Sequence, residues 1–331
     1  MKNLRSVTVV GLWLSMVATW AGAEVPRVVT DIAPVQGLVA RVMQGVGAPS
    51  VLLPPGASPH TYALRPSNAV TLQNAQAIFY VSGKLEPWLV DAVAPIAGQA
   101  RLVELLEQPG SVRLAFRDGA VFAGGPEDHE GQVDHDEHGD EAADDHDEPH
   151  DDPHGHAHEG LDPHAWLDPE NGRVWLGVIA DTLAALDPEN AAQYRANAAA
   201  GQAELAALER EIAAELAPLT ARHFVVYHDA YHYFEVRFGL RATAAIAGSD
   251  AAAPGPRRIA RIRDVIGTDG VACVFSEPQF NRGLIDSVLG GGPARVALLD
   301  PLGTEIAPGA GFYPALIGSV ADRIVQCLAE K

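Results

Sequence analysis

Residues 187–216 read DPENAAQYRANAAAGQAELAALEREIAAEL, a long helix-forming stretch. The opening Asp-Pro-Glu-Asn is a typical helix start, because proline suits the first helical turn. Apolar or small side chains then recur at steps of three or four residues, at Tyr194, Ala198, Gly201, Leu205, Leu208, Ile212 and Leu216. A helix from Pro188 to Leu216 would be about 43 Å long. Such a helix can lie along two lobes and hold them apart; a long helix inside one lobe is the alternative.

Short apolar strands alternate with helices on both sides of this stretch. Strands are predicted at 28–30, 50–53 and 77–81, and again at 223–227, 271–275 and 294–299, with helices at 34–45, 67–74 and 313–329. This alternation is typical of parallel sheets built from β–α–β units. The predicted fold class is therefore α/β, with two (β/α) lobes of mostly parallel sheet. Residues 24–170 form the amino-terminal lobe, 171–220 the linker helices and 221–331 the carboxyl-terminal lobe.

The composition of the chain excludes several classes of function. The 331 residues suffice for about two domains, and 47% apolar with 20% charged residues is typical of a globular protein. With 43 acidic against 23 basic residues the net charge is −20, which argues against nucleic acid as a partner. Two cysteines exclude a scaffold with several disulfides and a four-cysteine zinc site.

Residues 1–23 have the pattern of a signal peptide. Lys2 and Arg5 precede an apolar run at 7–20, and Ala21-Gly22-Ala23 is a small-x-small cleavage pattern. Cleavage near Ala23 would export a soluble protein into an oxidising compartment, the periplasm. The run is shorter than the roughly 20 residues that span a bilayer; an uncleaved anchor is the alternative. Because no cysteine lies near the cleavage point, lipid attachment is not predicted.

Residues 127–159 hold 15 acidic residues, no basic residue and almost nothing apolar, so a disordered acidic loop is predicted. Eight histidines are interleaved with the carboxylates: His129, His135, His138, His146, His150, His154, His156 and His158. This mixture can chelate zinc, copper or nickel, whereas a passive charged spacer, the alternative, needs no imidazoles. The irregular spacing predicts several weak metal sites.

Three of the five remaining histidines lie where ligands are usually displayed. His60 and His228 each follow a predicted strand, and the carboxyl ends of strands face the binding crevice in open α/β sheets. His164 comes directly after the acidic loop, and Asp300 follows the strand at 294–299. Three imidazoles and one carboxylate form a tetrahedral set that suits zinc better than manganese or magnesium.

Each histidine alone is more often a structural residue than a ligand. His232, one helical turn after His228, is predicted as a ligand or as a partner of one. His223 opens its strand and is expected at the opposite end of the sheet.

Six segments resemble the zinc-specific periplasmic solute-binding proteins of ABC importers, the ZnuA type within metal-binding cluster A-I. They are 53–60 (LPPGASPH), 64–67 (LRPS), 162–167 (DPHAWL), 227–231 (YHDAY), 275–280 (FSEPQF) and 299–303 (LDPLG). Their order is similar, as is the acidic insertion between the first two ligand histidines. The resemblance implies two (β/α) lobes joined by one long rigid helix, zinc in the cleft between the lobes, and His60, His164 and His228 as ligands.

The fourth ligand differs among proteins that resemble this chain. Some zinc-binding members carry a glutamate where this chain has Pro59, related members use the aspartate matching Asp300, and water is the third possibility. Manganese-binding relatives replace the third histidine by glutamate, so His228 favours zinc. Similar members also join the positions of Cys273 and Cys327 by a disulfide; two buried free thiols are the alternative.

The resemblance implies a binding protein and not an enzyme. It would capture zinc in the periplasm and deliver it to an inner-membrane ABC permease with its ATPase, with the acidic loop as an accessory collector. A monomer is expected, with a periplasmic zinc chaperone as a further partner. A zinc-dependent hydrolase is one alternative, although HExxH and GxSxG motifs are absent from the sequence. A manganese-binding or adhesin-like relative is the other.

Overall fold

The computed structural model of the chain describes residues 24–117, 119–122, 160–248, 254–279 and 282–329. The predicted signal peptide 1–23 and acidic loop 127–159 lie outside these residues. Within them are two four-stranded parallel sheets, with the strand orders β2-β1-β3-β4 and β6-β5-β7-β8. The strands are β1 Val28–Thr30, β2 Ser50–Val51, β3 Ala77–Tyr80, β4 Arg101–Glu104, β5 Phe224–His228, β6 Ala244–Ala247, β7 Cys273–Ser276 and β8 Arg295–Leu298. The two-lobed α/β fold is confirmed.

Helices connect and cover the strands of each sheet. They are α1 Ala33–Val42, α2 Pro66–Gln73, α3 Pro87–Ile96, α4 Pro169–Leu186, α5 Ala191–Leu216, α6 His232–Phe238, α7 Pro256–Thr268, α8 Arg282–Leu289 and α9 Phe312–Ala329. Among the described residues, none of these helices combines the length and the apolarity needed to cross a membrane. Cys273 in β7 and Cys327 in α9 are joined by a disulfide with a Cα–Cα distance of 6.2 Å.

The long helix begins slightly later than its sequence suggests. Pro188–Asn190 form a 3-10 turn and α5 follows with 26 residues, about 39 Å. The side chains of Asn190 and Tyr194 donate hydrogen bonds to the Asp187 carboxylate, both to Oδ2, at 2.7 and 2.8 Å. Because α5 packs on α1 of the first lobe and on α9 of the second, it joins the two lobes.

Two strands were not predicted from the sequence. β4 reads Arg-Leu-Val-Glu and has only one buried residue. β6 reads Ala-Ala-Ile-Ala and is buried throughout. Alanine is depleted in strands, so the β6 sequence carries little strand signal; its position beside β5 results from tertiary packing.

One stretch of chain crosses from the first lobe to the second. Residues 114–117 and 119–122, called the crossing segment below, follow β4 and end beside β6. There the Phe122 amide donates to Thr243 O at 2.9 Å and the Ala245 amide to Ala120 O at 3.0 Å. The returning chain pairs with the start of the same segment, since the Asp162 amide donates to Leu114 O at 2.8 Å. The residues on either side of 123–159 are therefore fixed to the body of the protein.

Two buried carboxyl groups meet at the carboxyl end of the first sheet. Asp31 and Glu86 are both 0% exposed, and Asp31 accepts the amides of Ile32 and Val81 at 2.6 Å each. No hydrogen-bond donor among the described residues reaches the Glu86 oxygens, which instead meet Asp31. Burial raises the pKa of Asp31 to about 7. Burial and repulsion from Asp31 raise the pKa of Glu86 well above its usual value.

Because of these two carboxyl groups, we expect the free energy of unfolding to decrease as pH rises. Because both pKa values are higher in the folded than in the unfolded chain, both groups stabilise the fold fully below about pH 4. The contribution of Asp31 is lost as pH rises through about 7, and that of Glu86 also decreases with rising pH. Glu86→Gln should therefore raise the free energy of unfolding at pH 8 by about 1–3 kcal/mol. Urea denaturation from pH 5 to 8 would measure this, with Glu215→Gln on the exposed face of α5 as control. Parallel pH profiles for Glu86→Gln and the unmodified chain would contradict it.

Candidate metal centre

Three histidines converge in the cleft between the lobes. His60, His164 and His228 each offer a ring nitrogen, and these three nitrogens lie within 4.8 Å of one another. Nε2 of His60 is 3.2 Å from Nε2 of His164. Two nitrogens bound to one tetrahedral zinc ion would be about 3.3 Å apart, given Zn–N bonds of about 2.0–2.1 Å. The spacing of this pair therefore matches two ligands of a single zinc ion.

His60 is held by a turn that follows β2. Its amide donates to Ser58 Oγ at 3.2 Å, and Gly56 turns the chain with a φ of +77°, which favours glycine. Trp88 at the start of α3 donates its indole N–H to Pro59 O at 2.8 Å. Helix α3 thus anchors the turn that presents His60.

Carboxylates orient the other two imidazoles. His228 is the last residue of β5, and its Nδ1 lies 2.6 Å from Glu277 Oε1. His164 precedes the 3-10 turn Ala165–Leu167, and its Nδ1 lies 2.7 Å from Asp162 Oδ1. When Nδ1–H donates to a carboxylate, the lone pair of Nε2 is left free to bind a metal. Both orienting residues lie within the motifs quoted above, although the sequence did not reveal their roles.

Burial keeps His164 neutral. The side chain is 4% exposed, and burial together with the nearby His228 holds its pKa well below the usual histidine value. Because zinc binds the neutral imidazole, a lowered pKa reduces competition from protons near neutral pH. The site is therefore ready to accept a cation without first losing a proton from His164.

Asp300 lies outside the histidine group. Its Oδ1 accepts the amides of Leu302 and Gly303 at 2.9 Å each, and its Oδ2 accepts the amide and hydroxyl of Thr304 at 2.6 Å each. Four donors use about all the lone-pair positions of a carboxylate. In this structure Asp300 therefore closes the turn after β8.

His232 and His223 are also apart from the group. His232 begins α6, with Nδ1 at 3.8 Å from Asp162 Oδ2. His223 lies at the far end of β5, exposed, with Nδ1 at 3.2 Å from Thr243 Oγ1. The eight histidines of the acidic loop lie outside the described residues.

A cluster of charges next to His228 was not predicted. Arg117 of the crossing segment pairs with Asp229, which adjoins His228, and with Glu235 of α6 at 2.6 Å. The guanidinium also lies 3.9 Å from the centre of the Phe122 ring. No sequence signal links these positions, since they are about 110 residues apart and meet only through the crossing segment.

The role of Glu277 is testable. Glu277→Gln keeps the shape of the side chain but removes the charge that holds the His228 Nδ1–H, so zinc affinity should fall about tenfold to a hundredfold. Competition with a chromophoric chelator would measure the affinity, and the thermal midpoint of the zinc-free protein would report any general damage. Glu305→Gln, at an exposed position in the turn after β8, is the matched control. Equal zinc affinities for the two variants would show that Glu277 does not support zinc binding.

Comparison with known proteins agrees with the geometry. The family described as "Zinc-uptake complex component A periplasmic", ZnuA, matches residues 28–327. The high-affinity zinc uptake system protein ZnuA of Brucella suis is 42% identical over 342 residues, with 100% of both chains covered. The protein of the same name from Paracoccus denitrificans is 44% identical over 317 residues, with 95% of each chain covered.

A solved structure has the same fold. The zinc-bound crystal structure of a ZnuA mutant lacking residues 138–173 superposes with a TM-score of 0.73 and 24% identity, over 93% of this chain and 100% of that one. The family match spans nearly the whole described chain and includes all three converging histidines. This chain belongs to the ZnuA family, the periplasmic solute-binding components of high-affinity zinc-uptake systems, which are not enzymes.

Proposed function

We propose that this chain captures zinc between its lobes through His60, His164 and His228 and delivers it to an inner-membrane ABC permease. The observation that carries the proposal is the convergence of three ring nitrogens within 4.8 Å, two from the amino-terminal lobe and one from the carboxyl-terminal lobe. The orienting carboxylates and the neutral state of His164 support it, because both favour metal binding through Nε2.

Water is the better candidate for the fourth ligand. The Asp300 carboxylate would have to give up hydrogen bonds to Leu302, Gly303 and Thr304 before binding zinc. An open position occupied by water, or left vacant, also suits a protein that must release its cargo, since zinc bound by fewer protein ligands is easier to transfer.

Family membership supports a proposal for the export, assembly and partners of the chain. Cleavage near Ala23 would release the mature chain into the periplasm, where we propose that it acts as a monomer. Its partners would be the permease with its ATPase and a periplasmic zinc chaperone. The histidines of 127–159 would collect zinc at low affinity close to the cleft, because the chain returns at Gly160, four residues before His164.

A competition titration tests the central proposal. The mature chain lacking 127–159 would be titrated with zinc and with manganese against a chromophoric chelator, so that weak sites in the acidic segment do not obscure the stoichiometry. One tight zinc site that manganese does not fill at comparable concentrations is expected, because three imidazoles suit zinc better. The absence of a tight zinc site, or a preference for manganese, would contradict the proposal.

The acidic segment makes a separate prediction. Deleting 127–159 should leave the tight site unchanged but lower the number of zinc ions bound per chain, because eight histidines and 15 carboxylates are lost. Equilibrium dialysis of both forms would give the two stoichiometries. A control variant that keeps residues 127–159 but replaces their eight histidines with asparagine would separate binding by imidazole from binding by carboxylate. Equal stoichiometries would make the segment a passive spacer.

A further inference from the structure

We infer that the face of α7 carrying Arg257 and Arg261 is a docking surface for the acidic segment 127–159 of the same chain. Helix α7 carries four arginines, Arg257, Arg258, Arg261 and Arg263, and one acidic residue, Asp264. This basic helix stands in a chain whose net charge is −20. The docking goes beyond the proposed zinc site and does not depend on it.

Two of the four arginines have structural partners. Arg258 donates from Nε to Ile246 O at 2.9 Å, and Arg263 donates from Nε to Ser287 O at 2.7 Å. Arg257 and Arg261 are exposed, and among the described residues they make no ion pair or hydrogen bond through their side chains. These two positive charges are therefore available to a partner.

Their placement is unfavourable without an anion. Residues four apart lie on the same face of a helix, and like charges at that spacing repel each other. Arg257 also lies in the first turn of α7, where the helix macrodipole disfavours positive charge, and this turn has no acidic residue. A negatively charged partner would relieve both effects.

The crossing segment ends beside α7 and so places the start of the acidic segment near Arg257 and Arg261. Val121 pairs with Ala244 of β6, the strand on which α7 packs, and Arg258 Nη2 lies 3.4 Å from Gly119 O. Phe122 is thus fixed beside the α7 layer, five residues before Glu127. Five residues reach up to about 17 Å, and α7 is about 20 Å long. The start of the acidic segment is therefore within reach of Arg257 and Arg261.

The negative charge of residues 127–159 makes this segment the partner that best fits the basic face of α7. Residues 127–159 hold 15 of the 43 acidic residues of the chain and none of its 23 basic residues. Because the segment is tethered, it competes at an effective concentration that a free acidic partner does not reach. Docking would hold the eight histidines against the lobe that carries His228.

Cross-linking with a carbodiimide tests the docking. This reagent joins an amine to a carboxylate only where the two touch, and the chain after residue 23 has lysines only at 84 and 331. Arg261→Lys introduces an amine on the basic face, and Arg210→Lys places a matched amine on the exposed side of α5. In the zinc-free full chain, position 261 should be joined to residues 127–159 within the monomer, several-fold more often than position 210. The links should disappear at about 1 M salt, where the Debye length is about 3 Å.

Limited proteolysis tests the docking independently, without introducing an amine. A glutamate-specific protease should cut within 127–159 faster in Arg257→Gln/Arg261→Gln than in the unmodified chain, with Arg210→Gln/Arg222→Gln as the control pair. Equal cross-linking at positions 261 and 210 would overturn the inference, and so would links found only between two chains. Equal rates of cleavage in Arg257→Gln/Arg261→Gln and in the unmodified chain would also overturn it. Because both assays are done without zinc, their failure would leave the proposed zinc site unaffected.

Discussion

Replacing His228 with alanine is expected to weaken zinc binding on the order of a thousandfold, about 4 kcal/mol. His228 contributes one of three ring nitrogens that lie within 4.8 Å of one another, so its loss leaves two histidines to hold the ion. The substitution also leaves Glu277, which is 2% exposed, without the imidazole that it orients. Competition with a chromophoric chelator at neutral pH would measure the change.

Two matched substitutions make this result specific. His223→Ala removes an exposed histidine from the opposite end of the same strand and should leave zinc affinity unchanged. Asp300→Asn should have only a small effect, because that carboxylate already accepts four hydrogen bonds within its own turn. A loss for Asp300→Asn as large as that for His228→Ala would place Asp300 among the ligands. Unchanged affinity in His228→Ala would instead exclude the cleft as the tight site.

The regular elements were largely predictable because their signals are local. The strands β1, β3 and β5 are short apolar runs, and their predicted positions agree with the structure to within one residue at each end. The start of α5 was recognisable from Asp187-Pro188, a cap and a proline that act on neighbouring residues. β6 was missed because its alanines acquire strand geometry only from pairing with β5.

The site was predictable only in part, because its partners are distant in sequence. The rule that strands end at the crevice identified His60 and His228, and the structure brings both next to His164. The same rule selected Asp300 as a ligand, which stays a prediction; it gave no sign of the amides of residues 302–304, which the turn directs at that carboxylate. The contacts between Glu277 and His228, and between Arg117 and Asp229, depend on packing across strands and lobes.

Removing the disulfide should have the largest effect on stability. Cys273 and Cys327 close a loop of 54 residues, and on the chain-entropy account such a bridge stabilises the fold by about 4 kcal/mol. Both cysteines are buried, at 0% and 6% exposure, so replacement with alanine changes the interior of the lobe and not its surface. The free energy of unfolding of Cys273→Ala/Cys327→Ala, measured with urea, should therefore be lower by about that amount.

The same double variant should keep most of its zinc affinity, because the bridge joins β7 to α9 and neither cysteine belongs to the histidine group. Ser319→Ala, an exposed change on α9, controls for the effect of altering that helix. A second control is the unmodified chain treated with a reducing agent, which should unfold at the lower urea concentration of the double variant. If the double variant and the reduced chain both unfolded at the same urea concentration as the oxidised chain, the bridge would add no stability. If zinc affinity fell as far as in His228→Ala, the geometry of the cleft would depend on the bridge, through the pairing of β7 with the strand that carries His228.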